Sequence, residues 1–153
     1  MKQRLNFNET GSDAIKSIYG IQRPLNKSSI DKQLFELLFF RVSQINGCAF
    51  CLDMHSKELL ANGESAQRLF VMDAWRETPF FSEKERAVLA WAEALTKLDG
   101  SHVPDEVYEE VAKQFTETEL VDLTLAVTAI NTANRLNIAF GAPVGAYEVG
   151  LFN

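Results

Sequence analysis

Residues 36–55 read E-L-L-F-F-R-V-S-Q-I-N-G-C-A-F-C-L-D-M-H, from Glu36 to His55. This stretch decides the fold, because it contains most of one helix, its stop and the start of another. Ile30, Leu34, Leu37, Leu38, Phe39, Val42 and Ile45 recur at helical spacing, and Asn46-Gly47 supplies the residue types that end a helix. Ser28 with Asp31 three residues on reads as a capping-box start. Cys48-Ala49-Phe50-Cys51 then opens a second helix running through Leu52, Leu59 and Leu60 to Asn62-Gly63. Packed antiparallel, the two helices would carry Glu36 and His55 toward each other across the turn.

Working outward, the same signals repeat. Ser65 can cap a third helix carrying Leu69, Phe70 and Trp75, closed by Thr78-Pro79, because a residue before proline resists the α conformation. Ser82 and Glu85 form a capping box ahead of Ala87, Val88, Ala90, Trp91, Ala94, Leu95 and Leu98, with Gly100 as the stop. Pro104 suits the first turn of a shorter helix reaching Lys113, with Val103 and Val107 as staple contacts. Thr116 and Glu119 give another capping box, opening the apolar segment Leu120 to Phe140 that Gly141 and Pro143 end. Its Val, Thr and Ile content favours strand locally, yet strands run about 3–10 residues and this segment has no turn signal. Residues 1–28, with Gly11, Gly20 and Pro24, read as an irregular N-terminal arm holding one short helix, Asp13 to Tyr19. No alternating strand pattern and no internal repeat is visible, so the expected architecture is all-α, a bundle of about six helices.

At 153 residues and 46% hydrophobic, the chain suits a single domain, residues 1–153, with a real core. The formal net charge of -6 and the lack of any Lys/Arg cluster exclude nucleic acid and an anionic membrane as expected partners. Met1-Lys2-Gln3-Arg4-Leu5-Asn6 lacks the apolar core of a signal peptide, and no stretch resembles the roughly 20 apolar residues of a membrane span. A cytoplasmic location is the expectation. In that reducing setting, two cysteines two residues apart point to catalysis or metal binding rather than to a permanent staple.

Cys48 and Cys51 at a helix start lie one turn apart, close enough for a disulfide. The exposed N–H groups there carry partial positive charge, favour the thiolate and draw a cysteine pKa below its usual ~8.5. Helix-start logic alone favours the first cysteine as the thiolate. His55 follows Cys51 by four residues, so the two share a face, and its imidazole can take or return the thiol proton. Glu36 sits among Leu34, Phe35, Leu37, Leu38, Phe39 and Phe40. A carboxylate buried there must find a partner or stay protonated, and His55 is the partner in reach, with Glu36 as the orienting acid behind it.

Glu36, eleven intervening residues, Cys48-x-x-Cys51, three more and His55 resemble the core motif of the AhpD-like alkylhydroperoxidase family, within the carboxymuconolactone decarboxylase superfamily. The segment L-T-L-A-V-T-A-I-N-T-A-N-R-L-N-I-A-F-G-A-P-V-G, Leu123 to Gly145, resembles that family's last long helix. The resemblance implies an all-helical homo-oligomer, a trimer or hexamer, with sites near subunit interfaces and no cofactor or metal. It also implies peroxidase or disulfide-reductase activity, a peroxiredoxin-type antioxidant role. Cys51 would attack the hydroperoxide and become a sulfenic acid, Cys48 would resolve it into a redox-active disulfide, and an external thiol or dithiol donor would reduce that. Glu36 and His55 would form the proton relay. Phe50 stands where well-known members carry a further histidine.

Other readings of the same residues are weighed beside this one. Cys48 and Cys51 could be small core residues, and by ligand type Cys48, Cys51, His55 and Glu36 would make a zinc quartet. The alternative function is therefore a non-enzymatic zinc-binding or redox-sensing helical module. A structural zinc usually stitches separate loops, whereas three of these ligands lie within two turns. A thioredoxin fold needs a βαβ pattern that is missing. His102, in Gly100-Ser101-His102-Val103-Pro104, reads as a solvated loop residue. Asn131, Asn134 and Arg135 read as structural polar groups, Trp75 and Trp91 as core, and Glu83–Arg86 and Glu106–Lys113 as solvated faces.

Overall fold

In the computed structural model, which describes residues 2–151, the regular elements among the described residues are all helical. They are α1 (Phe7–Thr10), α2 (Ser12–Tyr19), α3 (Gln22–Leu25), α4 (Lys32–Asn46), α5 (Ala49–Ala61), α6 (Ala66–Val71), α7 (Glu83–Lys97), α8 (Asp105–Gln114) and α9 (Glu117–Phe140). A 3-10 segment, Met72–Glu77, continues α6. The all-α expectation holds, and each of the six expected helices is present.

Local chemistry sets the boundaries. The capping boxes at Ser82/Glu85 and Thr116/Glu119 are both formed, each cap hydroxyl being worth about 1 kcal/mol. Gly47 and Gly141 end α4 and α9 in the left-handed conformation, with φ 67° in both, a backbone that costs glycine little. The start of α4 differs from the expectation: Asp31, not Ser28, is its cap and accepts from the Gln33 amide at 2.7 Å. Ser28 instead donates to Asp122 Oδ2 at 2.6 Å, tying the loop to α9. Ser65 occupies the cap position of α6 without capping it; the Glu64 carboxylate accepts the Ser65 amide at 2.7 Å instead. The third expected helix is broken at Ala74, whose φ of -108° and ψ of 31° leave the helical region.

The N-terminal arm is more ordered than its composition suggests. The arm holds three short helices, with Phe7, Ile15 and Leu25 buried, and Leu25 joins the core cluster of α4, α7 and α9. The Phe7 ring packs 5.7 Å from that of Phe140, and the Arg4 amide donates to the Phe140 carbonyl at 2.8 Å. Such isolated apolar anchors, separated by polar residues, leave no periodic signal to read.

Helix α4 is buried on nearly all sides, which explains why it is apolar on more than one face. Leu34, Phe35, Leu38, Phe39 and Val42 pack against Ala87, Val88, Trp91 and Ala92 of α7 and Leu123, Ala126, Val127 and Ile130 of α9. Leu37 and Phe40 face a second cluster with Leu59, Leu69, Met72, Trp75, Phe81 and Leu89. Truncating a fully buried leucine such as Leu38 to alanine would cost about 2–5 kcal/mol.

A polar knot links α4, the 3-10 segment and α7. Glu93 accepts from Arg41 Nε at 2.8 Å, Trp75 Nε1 at 2.9 Å and Arg76 Nη1 at 2.6 Å. Burial pushes the Glu93 carboxyl up, but the bonds from Trp75, Arg76 and Arg41 outweigh it and hold the group below its ordinary value. The charged run Glu83–Arg86 is less solvated than expected: Glu85 pairs with Arg68, and Arg86 donates to the carbonyls of Trp75, Arg76 and Thr78. Among the described residues, no helix is long and apolar enough to cross a membrane.

Candidate active site

The turn at Gly47 builds the site. Its amide bonds back to the Gln44 carbonyl at 3.2 Å and that of Cys48 to the Ser43 carbonyl at 3.0 Å, so α4 stops and α5 starts with Cys48 as its cap. Cys48 Sγ accepts the Cys51 amide at 3.4 Å. The two cysteines form a disulfide pair with Cα atoms 5.4 Å apart, and both side chains are fully buried.

As the antiparallel arrangement requires, Glu36 and His55 meet. Glu36 Oε2 lies 2.7 Å from His55 Nδ1. With Nδ1–H donated to the carboxylate, the imidazole lone pair sits on Nε2. That Nε2 is buried and without a hydrogen-bond partner, a costly state unless another group uses it. The Phe39 ring, 5.3 Å from the imidazole, walls one side. His55 is buried, whereas the Glu36 carboxylate is 25% exposed and opens the pair to solvent. Phe50 is half-buried in the first turn of α5.

The four expected site residues fall into two pairs, with Cys48 as the cap of α5, Cys51 and His55 on α5 and Glu36 on α4. Cys48 and Cys51 engage each other and His55 Nδ1 engages Glu36. Among the described residues, no group of three or more His, Cys, Asp or Glu is arranged to hold a metal while Cys48 and Cys51 are joined in the disulfide.

A fifth residue escaped the sequence reading. Asn137 of α9 donates from Nδ2 to Cys51 Sγ at 3.3 Å, and the pair is buried. The signal lay in its register: Ile130, Asn134 and Asn137 share one buried face of α9. Asn134 and Asn131 have the structural role expected of them. Asn46 Nδ2 donates to both, at 2.9 and 3.0 Å, and Asn134 Nδ2 donates to Ser43 Oγ at 3.1 Å. This amide ladder fixes the end of α4, and hence the turn that presents the cysteines. Arg135 is exposed and folds back on Asn131, and His102 is exposed with Nδ1 bonded to the Gly100 carbonyl.

The segment after α9 also escaped notice. It returns along α5, where Lys57 Nζ donates to the Gly145 and Tyr147 carbonyls at 3.2 and 3.1 Å. Buried Glu58 accepts from the Tyr147 hydroxyl and from the Gly150 amide. Burial, then the bond to Glu58 and its charge, push the Tyr147 phenol well above its ordinary value. An open groove of about 550 Å³ lies near the starts of α4 and α7, lined by Asp31, Gln33, Arg68, Lys84 and Glu85. It contains none of the four site residues.

A helical bundle with a C-x-x-C pair at a helix start, a histidine one turn further along the same helix and a glutamate from the antiparallel helix paired with that histidine defines a class of all-α dithiol proteins. The chain belongs to the carboxymuconolactone decarboxylase family, whose pattern matches residues 18–94. The uncharacterized protein YdfG of Bacillus subtilis is 39% identical over 141 residues, 92% of this chain and 96% of that protein. A solved structure from Agrobacterium tumefaciens, a protein of unknown function described in connection with antioxidant defence and AhpD, superposes with a TM-score of 0.89 at 36% identity. It covers 95% of this chain and 100% of its own. The alkyl hydroperoxide reductase AhpD of Corynebacterium kroppenstedtii is 39% identical over 61 residues, 39% of this chain and 35% of that enzyme.

Proposed function

We propose that the chain is a thiol-dependent peroxidase or disulfide reductase of the AhpD kind, with an antioxidant role. The observation that carries the reading is the Glu36–His55 contact of 2.7 Å, with a buried, unpartnered Nε2 one helical turn from Cys51. A paired imidazole of fixed tautomer beside a dithiol is the equipment for moving a thiol proton.

In the reduced protein His55 Nε2 takes the Cys51 proton. The Cys51 thiolate attacks one oxygen of a hydroperoxide; the S–O bond forms, the O–O bond breaks, and the leaving alkoxide takes a proton from His55 to give an alcohol. Cys51 is now a sulfenic acid. Cys48 sulfur attacks it, the S–S bond forms and water leaves with the Cys48 proton. Two electrons from an external thiol or dithiol donor restore both thiols. Glu36 holds the imidazole in its tautomer and stabilises the imidazolium. The chain works in the cytoplasm as a homo-oligomer, a trimer or hexamer.

The test is a single stoichiometric dose of an organic hydroperoxide to the reduced protein, with free thiols counted before and after. Loss of two thiols per chain, matched by loss of hydroperoxide and reversed by a dithiol donor, is the expected result. Thiols that stay unreactive would overturn the reading and direct attention to bound zinc in protein purified without added metal.

A further inference from the structure

Two sulfurs buried to the same degree need different reasons to ionise. Burial opposes a thiolate, and a buried thiol with no donor stays protonated and inert. Cys48, as the cap of α5, has the helix start and the Cys51 amide, 3.4 Å from its sulfur. That amide is then spent on Cys48. Cys51, here joined to Cys48 in the disulfide, already has a donor from elsewhere in the fold, the carboxamide of Asn137, 3.3 Å from Sγ.

This donor is fixed in place. The Asn137 carbonyl accepts the amides of Gly141 and, at 3.0 Å, Ala142, where α9 ends in its left-handed glycine. One turn earlier Asn134 anchors the same face to Ser43 and Asn46 on α4. A carboxamide N–H donates at every pH, and it bonds a thiolate more strongly than a thiol because the acceptor is charged. The titratable groups nearest Cys51 along its own helix are Cys48, its disulfide partner at the cap, and His55, four residues on and paired with Glu36 of α4; α9 brings the neutral amide of Asn137.

We propose that Asn137 is the thiolate-stabilising residue of this site: its Nδ2–H donates to Cys51 Sγ and makes Cys51, rather than Cys48, the attacking sulfur. The assignment rests on the dithiol reading above and adds to it the residue that distinguishes the two cysteines.

The test isolates Cys51 in a Cys48→Ser background and follows thiolate formation with pH by ultraviolet absorbance, for the native Asn137 and for Asn137→Ala and Asn137→Asp. Both changes are expected to move the Cys51 midpoint up by about one pH unit, a ten-fold loss of thiolate at a fixed pH. Asn137→Asp keeps the shape and replaces the donor with an acceptor, so it carries the test if the alanine variant fails to fold. With Cys48 restored, one equivalent of iodoacetamide is expected to alkylate chiefly Cys51 in the native chain and to shift toward Cys48 in both variants. Unchanged midpoints, or an unchanged partition of label, would overturn the assignment. Neither readout needs peroxide: a chain that shows both shifts but consumes no hydroperoxide keeps Asn137 in this role and loses the peroxidase reading.

Discussion

His55 Nδ1 and Glu36 Oε2 stand 2.7 Å apart across the turn between α4 and α5, and the contact leaves His55 Nε2 buried and unpartnered. If that nitrogen shuttles the Cys51 proton, His55→Gln should lower kcat/KM for an organic hydroperoxide by about two to four orders of magnitude. Glu36→Gln should lower it less, since the imidazole remains but loses the partner that sets its tautomer. Steady-state kinetics with both variants checks the order, and native rates in His55→Gln would remove the relay.

The two cysteines should fail differently. Cys51→Ser is expected to abolish hydroperoxide consumption. Cys48→Ser should consume one equivalent and stop, leaving a Cys51 sulfenic acid that a dimedone-type reagent traps and mass spectrometry locates. Equal and complete turnover in both variants would exclude the dithiol cycle.

The site's local half was legible because it depends on local rules. Asn46-Gly47 stops a helix, Cys48 and Cys51 occupy the next helix start, and four-residue spacing puts His55 on the face of Cys51. The same rules failed where a distant partner decides. Ser28 looks like a cap until Asp122, far along the chain, claims its hydroxyl and leaves the cap to Asp31. Asn137 meets Cys51 only because α9 packs beside α5. Phe7 and Leu25 order the arm by contacts with the bundle, which no spacing within the arm reveals.

The knot around Glu93 predicts an acid-side stability profile. The folded carboxyl lies below its ordinary value, so it binds a proton less readily than the unfolded chain does. Its contribution is therefore fully present above the unfolded carboxylate pKa, ~4.3, and lost as pH falls through the lower folded value. Urea denaturation should show stability level near neutral pH and falling in acid, with a shallower fall in Glu93→Gln. That variant should also lose about 1–3 kcal/mol at neutral pH, because Arg41, with a side chain only 6% exposed, keeps Asp73 as an ion-pair partner but loses the Glu93 carboxylate. A native profile in Glu93→Gln would mean the knot contributes nothing to acid sensitivity.

The segment behind α9 is held on α5 by Glu58, which accepts from both Tyr147 and Gly150. Tyr147→Phe keeps the ring and removes one donor from a buried carboxylate, at a cost of about 1–3 kcal/mol. Glu58 lies one turn beyond His55 on α5, so loosening this segment opens the helix that carries the relay. Hydrogen exchange should accelerate over residues 142–151 and the adjoining part of α5 in Tyr147→Phe, while the α7 and α8 amides keep their native protection. The Tyr147 phenol, raised above its ordinary value, gives the same coupling an alkaline signature. Its stabilisation is complete below the unfolded tyrosine pKa, ~10, and fades as pH rises toward the higher folded value. The native protein should therefore lose stability in that range faster than Tyr147→Phe, and parallel curves would show that the hydroxyl does not hold the segment down.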